Sequence, residues 1–269
     1  MTVESDGAGG GDVRVYAIRF AHREASVRGE HFYGHDPCSE SPFPIDYYVW
    51  LVVSGDRTVL VDAGFTAETA RARGERHYLR SPMETIAALG SDADRVSHVV
   101  LSHLHYDHVG HVADFPAASV VLQEAELAFW TSRHAGRGEH ARLADPAAIA
   151  SLVRENFTGR VRLVNGDHEV VPGVTVHRVG GHTPGLQVTR VETAQGVVVL
   201  AADGTHFFEN IEQDRPYGVV NHLPSMYEAF DTIRSLAGPD GVVVPGHDPR
   251  VRERFPAVPG LAGLAVRIA

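Results

Sequence analysis

The sequence predicts an α/β protein in which two mixed β-sheets pack face to face with helices outside them, an αββα sandwich. Three observations carry that expectation. Short apolar, β-branched runs recur along the chain. They fall into two strand-rich halves, about 13–123 and 160–248, and each half has helical patterns beside it. Several of the runs are apolar throughout, as strands buried on both faces are.

Residues 1–12, MTVESDGAGGGD, read as a flexible N-terminal tail, and 13–269 as a single domain. The first half offers strands at VRVYAIRF (13–20), YYVWLVV (47–53), TVLVDAG (58–64), VSHVVLS (96–102) and SVVLQ (119–123). The second offers RVRLV (160–164), VTVHRV (174–179), LQVTRVE (186–192), GVVVLAADG (196–204) and GVVVPGHD (241–248). Helices lie between them. SPMETIAALG (81–90) has Ser81 as N-cap, Pro82 in the first turn, Glu84 to close a capping box and Gly90 as the stop. QEAELAFWTSR (123–133) is amphipathic, DPAAIASLVREN (145–156) opens on Asp145-Pro146, and PSMYEAFDTIRSLAG (224–238) ends on Gly238. Residues 124–160 separate the halves, as a helical cover over a site or as a dimer contact.

Composition removes several function classes. The formal charge of −10 argues against nucleic acid as a partner, because phosphate binding needs a basic surface. All 24 basic residues are arginine, so lysine chemistry is impossible. Cys38 is the only cysteine, which rules out an intrachain disulfide and a thiolate metal cluster. The N-terminus lacks the basic and apolar regions of a signal peptide, and no apolar run is long enough to span a membrane. The expected location is the cytoplasm. The 17 histidines are the one oddity of composition.

SHLHYDHVGH (102–111) gathers His103, His105, Asp107, His108 and His111 just after the strand 98–102. In extended chain, residues two apart face the same way, so His103 and His105 can reach one metal ion. Asp107 and His108 follow the turn and suit a second ion nearby. Imidazole and carboxylate without thiolate fit zinc, and also iron, manganese or cobalt. Three more strand ends carry such groups: His182 in VGGHTPG, Asp203 in VLAADG and His247 in VVPGHD. Polar residues there make poor core unless they converge on something.

The pattern resembles the metallo-β-lactamase superfamily. Its HxHxDH motif is matched by His103, His105, Asp107 and His108, followed in order by His182, Asp203 and His247; LVDAG (60–64) resembles its early Asp-Gly turn. The resemblance runs over about 45–250. It implies two metal ions, with His103, His105 and His182 on the first, Asp107, His108 and His247 on the second, and Asp203 between them. Asp62 would support the site, and His111 matches no ligand position. The implied reaction is hydrolysis by a hydroxide bridging two ions, which lower its pKa and polarise the bond attacked.

Within that superfamily the chain looks most like the N-acyl-homoserine lactone lactonases. HLHYDHVGH, GHTPG, ADGTHFFENIEQDRP and PGHD carry the likeness. The substrate implied is a small lactone or ester. Those lactonases have a tyrosine three residues after the bridging aspartate, and here that residue is His206. His206 and Asp107 are the candidate catalytic residues, His206 because an imidazole can donate a hydrogen bond or a proton. HFYGHDP (31–37), SPFPIDYY (41–48), Phe207 and Phe208 are candidates for the substrate wall, with Tyr47 and Tyr48 read as core. A glyoxalase-type thioesterase, another ester or phosphoester hydrolase, and an iron-dependent dioxygenase are the alternatives. A binding module that had lost its chemistry would have lost ligands, and none is lost.

Overall fold

The structure is a computed structural model that describes residues 13–269; the expected tail at 1–12 lies outside the described residues. The strands are β1 (Val13–Arg23), β2 (Ile45–Ser54), β3 (Arg57–Val61), β4 (His77–Tyr78), β5 (Val96–Val100), β6 (Ser119–Gln123), β7 (Val161–Val164), β8 (His168–Val171), β9 (Val174–Arg178), β10 (Gln187–Thr193), β11 (Gly196–Ala202), β12 (Val242–Pro245) and β13 (Ala265–Arg267). The helices are α1 (Arg28–His31), α2 (Ala67–Arg73), α3 (Pro82–Ala88), α4 (Tyr106–Val109), α5 (Glu124–Trp130), α6 (Gly138–Leu143), α7 (Pro146–Asn156), α8 (Phe208–Glu212), α9 (Leu223–Ala237) and α10 (Val251–Arg254). No helix among the described residues is long and apolar enough to cross a membrane.

Two mixed sheets form. One runs β13-β1-β2-β3-β5-β6-β7, with β4 also on β1; the other runs β12-β11-β10-β9-β8. The apolar residues divide into three layers. Between the sheets, Val15, Trp50, Val61 and Val100 meet Val176, Val191, Leu200 and Val244. Outside the first sheet, Leu101 and Val120 pack with Ile86, Leu127 and Leu152 of helices α3, α5 and α7. Outside the second, Val188 and Val199 pack with Met226, Phe230 and Ile233 of α9. This is the αββα order expected from the alternating strand and helix patterns.

The division into halves needs one correction. β7, expected in the second sheet, pairs parallel with β6 at the edge of the first. Parallel neighbours need a long crossover, and α5, α6 and α7 provide it. The C-terminal β13 likewise returns to the first sheet beside β1. β4, β8 and β13 are short or polar enough that no strand pattern marks them. The capping box at Ser81 does not form: its side chain makes no capping bond, and Glu84 pairs with Arg80 instead. Asp145 does cap α7, accepting from the Ala147 and Ala148 amides at 3.0 Å.

β3 and β5 are parallel, and so are β11 and β12, so their C-terminal ends open on one edge of the sandwich. The chain leaves two of these strands through left-handed backbone at non-glycine residues: Asp62 has φ 61° and Ala202 has φ 43°. Such positions cost free energy and persist only where surrounding structure holds them. Both adjoin the expected site.

Candidate metal centre

All seven expected ligand residues come together at that edge. His103, His105, His182 and Asp203 form one group, and Asp107, His108 and His247 a second; within each, the donor atoms lie within 4.8 Å of one another. Asp203 stands between them. Its Oδ2 is 3.2 Å from His182 Nε2, while its Oδ1 is 3.1 Å from His247 Nε2 and 3.3 Å from His108 Nε2.

The rings are aimed by bonds on their far sides. His182 Nδ1 donates to the Val219 carbonyl at 2.8 Å, and His247 Nδ1 to the Asp46 carbonyl at 3.0 Å. His108 Nδ1 donates to Asp62 Oδ2 at 2.7 Å. The Ser102 hydroxyl donates to that same carboxylate at 2.8 Å, so its oxygen accepts from His103 Nδ1 at 2.9 Å. A carbonyl or carboxylate can only accept, so these bonds put the proton on Nδ1 and leave each Nε2 with a free lone pair facing the centre. His105 faces the centre through Nδ1.

These residues fit metal ions by their own geometry. The inward nitrogens of His103, His105 and His182 lie 2.9, 2.9 and 3.2 Å apart. An ion with tetrahedral Zn–N bonds of about 2.0–2.1 Å needs N···N edges of roughly 3.3 Å. Three lone pairs that close repel one another unless a cation lies among them. In the second group, His108 Nε2 and Asp203 Oδ1 are buried without a hydrogen-bond partner. Orphaned buried acceptors are costly, and a shared cation satisfies both.

The electrostatics divide the same way. Burial pushes His103 and His105 well below the usual histidine range. Burial opposes charge on His108 and His247 too, but the carboxylates around them win and both are raised, by Asp62, Asp203 and Asp107 for His108 and by Asp203 and Asp107 for His247. Burial would raise Asp203, yet His247, His206 and His108 hold it well below the carboxylate range. The second group is thus a place that draws positive charge.

His206 lies on the same cleft. Its Nε2 is 2.9 Å from Asp203 Oδ2, its ring stacks on Tyr217 at 3.8 Å, and burial lowers it to about 3. Asp203, His206 and His247 also satisfy the distances of a ligand group. His111 is not in any group: it pairs with Asp114 at 2.7 Å and Tyr78 at 3.1 Å. The cleft is lined by Tyr47, Tyr106, Phe207, Leu143 and Arg142, together with five of the expected ligands, His105, Asp107, His182, Asp203 and His247. Tyr47 therefore serves both core and cleft, and Tyr48 is inter-sheet core as expected. Phe208 is a correction: it turns into the inter-sheet core under the Arg254 guanidinium, away from the cleft. Arg142 and Leu143 belong to α6, so part of 124–160 does cover the site.

Several supporting residues escape a reading by motif. Tyr217 donates its hydroxyl to the Asp203 carbonyl, Asp46 supplies a carbonyl, and Glu126 binds both histidine loops. Only Glu126 left a trace, a carboxylate on the face of an amphipathic helix that otherwise turns inward. Gly246 is required by close approach, since a Cβ there would lie 2.7 Å from the Ala202 carbonyl oxygen and 2.9 Å from Asp203 Oδ1.

A sandwich with this edge and these ligands defines a class, and the comparisons agree: the profile of the metallo-beta-lactamase superfamily matches residues 43–247, and the chain belongs to that superfamily. Among its relatives is an N-acyl homoserine lactonase from Bacillus sp, 26% identical over 189 residues, covering 64% of this chain and 70% of the relative. The N-acyl homoserine lactonase of Bacillus thuringiensis is 31% identical over 130 residues, 48% of this chain. That second match spans 46% of the relative, less than half its length. A solved quorum-quenching N-acyl homoserine lactone lactonase superposes with a TM-score of 0.77 at 19% identity, covering 93% of this chain and 99% of that one. At that identity the superposition speaks to the fold.

Proposed function

We propose that the protein is a dinuclear metal-dependent hydrolase that opens lactone rings, with N-acyl-homoserine lactones or close analogues as substrates. One observation carries the reading: two groups of buried histidine and aspartate donors meet at Asp203, which belongs to the first and lies against His108 and His247 of the second, in a chain whose relatives include N-acyl homoserine lactonases. His103, His105, His182 and Asp203 Oδ2 would hold one ion. Asp107, His108, His247 and Asp203 Oδ1 would hold the other. The donor set favours zinc, with iron, manganese and cobalt compatible. Two such ions supply a Lewis acid for the ester carbonyl and lower the pKa of water toward about 7.

The chain's own residues do the rest. The bonds from Val219, Asp46, Asp62 and Ser102 fix four imidazoles before substrate arrives, so no reorganisation is needed during the reaction. His206 lines the cleft with its single N–H, at Nε2, on Asp203 Oδ2, and it would serve the substrate carbonyl or the departing oxygen by turning that N–H toward substrate once Asp203 holds its ions. The Asp107 side chain is the more exposed of the two ligand carboxylates and would carry a proton to that oxygen. Tyr47, Tyr106, Phe207 and Leu143 give an apolar wall for an acyl chain.

A pH-indicator assay over lactones, linear esters, thioesters, phosphotriesters and β-lactams tests this reading. Lactones should be turned over with the highest kcat/KM, and a chelator should abolish the turnover. Exclusive thioester or phosphotriester cleavage would sink the lactone assignment and leave the family standing.

A further inference from the structure

Glu126 is fully buried on α5, and four donors converge on its carboxylate. Oε1 accepts from the Leu104 amide at 3.0 Å and from Trp130 Nε1 at 2.6 Å. Oε2 accepts from the Thr183 hydroxyl at 2.7 Å and the Gly185 amide at 2.9 Å. Leu104 sits between His103 and His105, and Thr183 follows His182. One carboxylate therefore ties together the two loops that carry all three histidines of the first group. Its fourth partner, Trp130, packs edge-on against the His105 ring at 5.4 Å. The approach is close: a Cβ on Gly185 would lie 2.3 Å from the Glu126 backbone nitrogen. None of the four donors belongs to the second group, where His108 is aimed by Asp62 and His247 by the Asp46 carbonyl.

We propose that Glu126 is the positioning residue of the three-histidine site, setting that site's metal affinity without setting the other's. The inference rests on the two-metal reading above. Burying a carboxylate is unfavourable, and burial does push the Glu126 pKa up; four donors are what make the position tenable. A glutamine has the same shape but only one acceptor oxygen. Its NH2 would face two of the four donors, so one loop must move away. Outer partners of metal-binding histidines are typically worth about 10–100-fold in metal affinity.

The experiment dialyses zinc-loaded protein against graded chelator and reads metal per chain, beside a thermal melt of each variant. Wild type should release two ions. In Glu126→Gln, one ion should leave at about 10–100-fold lower chelator strength, with the other unchanged. Thr183→Val removes one donor at constant volume and should shift the same ion in the same direction by less; Thr183→Ser should behave as wild type. If Glu126→Gln does not fold, Thr183→Val decides. Release of both ions at the wild-type position, or an equal shift of both, overturns the proposal. A wild type holding one ion would sink the two-metal reading separately; Glu126 is then judged on that ion, and an unchanged release overturns its role too.

Discussion

His206 Nε2 lies 2.9 Å from Asp203 Oδ2, with the Tyr217 ring stacked flat against the imidazole. The histidine stands where the lactonases it resembles have a tyrosine, and its single N–H, at Nε2, faces the Asp203 carboxylate. His206→Ala should lower kcat by about 100-fold with metal content unchanged, as expected for a lost hydrogen-bond donor to the transition state. His206→Tyr should keep activity and shift preference toward N-acyl-homoserine lactones. Steady-state kinetics beside elemental analysis reads both. A fall in metal content in His206→Ala would make His206 a ligand rather than a donor to substrate.

Asp203 serves both groups through different oxygens, whereas His247 serves one. Zinc-loaded wild type should contain close to two ions per chain. Asp203→Ala should lose both under mild dialysis, and His247→Ala should lose one. Equal losses from the two variants would contradict the bridging position of Asp203. Metal uptake should also raise the melting temperature, because the folded chain binds the ions and the unfolded chain does not.

How far the site could be read in advance follows from where its parts lie. His103, His105, Asp107 and His108 are contiguous, so local geometry alone suggested a metal. His182, Asp203 and His247 were legible because each sits beside a glycine at the end of an apolar run, where a polar residue needs a reason. What aims them was not legible. The partners of His182 and His247 are the backbone carbonyls of Val219 and Asp46, and a carbonyl leaves no mark on residue type. The sheets were legible through their apolar runs, but β7 could not be assigned to its sheet, because four residues of pattern do not record which neighbour they pair with.

His111 ends the histidine-rich stretch but faces away from both groups, between Asp114 and the Tyr78 hydroxyl. His111→Ala should leave two ions per chain and most of the activity. Its cost is two partly exposed hydrogen bonds, about 2 kcal/mol. That corresponds to a fall in melting temperature of about 4–8 °C. An inactive variant that retained both ions would place His111 in the reaction after all.

His31 should make the stability depend on pH. Its ring packs between Phe43 and Phe207, and its buried Nε2 has no hydrogen-bond partner. Burial pushes it from the ordinary 6.5 down to about 4. The unfolded chain therefore binds this proton more readily than the folded one between those two values. Stability from this residue is fully present above about pH 6.5 and is lost as pH falls toward 4. The shift bounds that loss at about 3 kcal/mol. Carboxylates titrate over the same range, so the comparison must be made between variants. His31→Phe keeps the aromatic contacts and removes the proton site, and its stability should fall less steeply than wild type from pH 6.5 to 4. Denaturant unfolding at fixed pH steps reads the slopes, and parallel curves for the two proteins would show that His31 contributes none of the acid sensitivity.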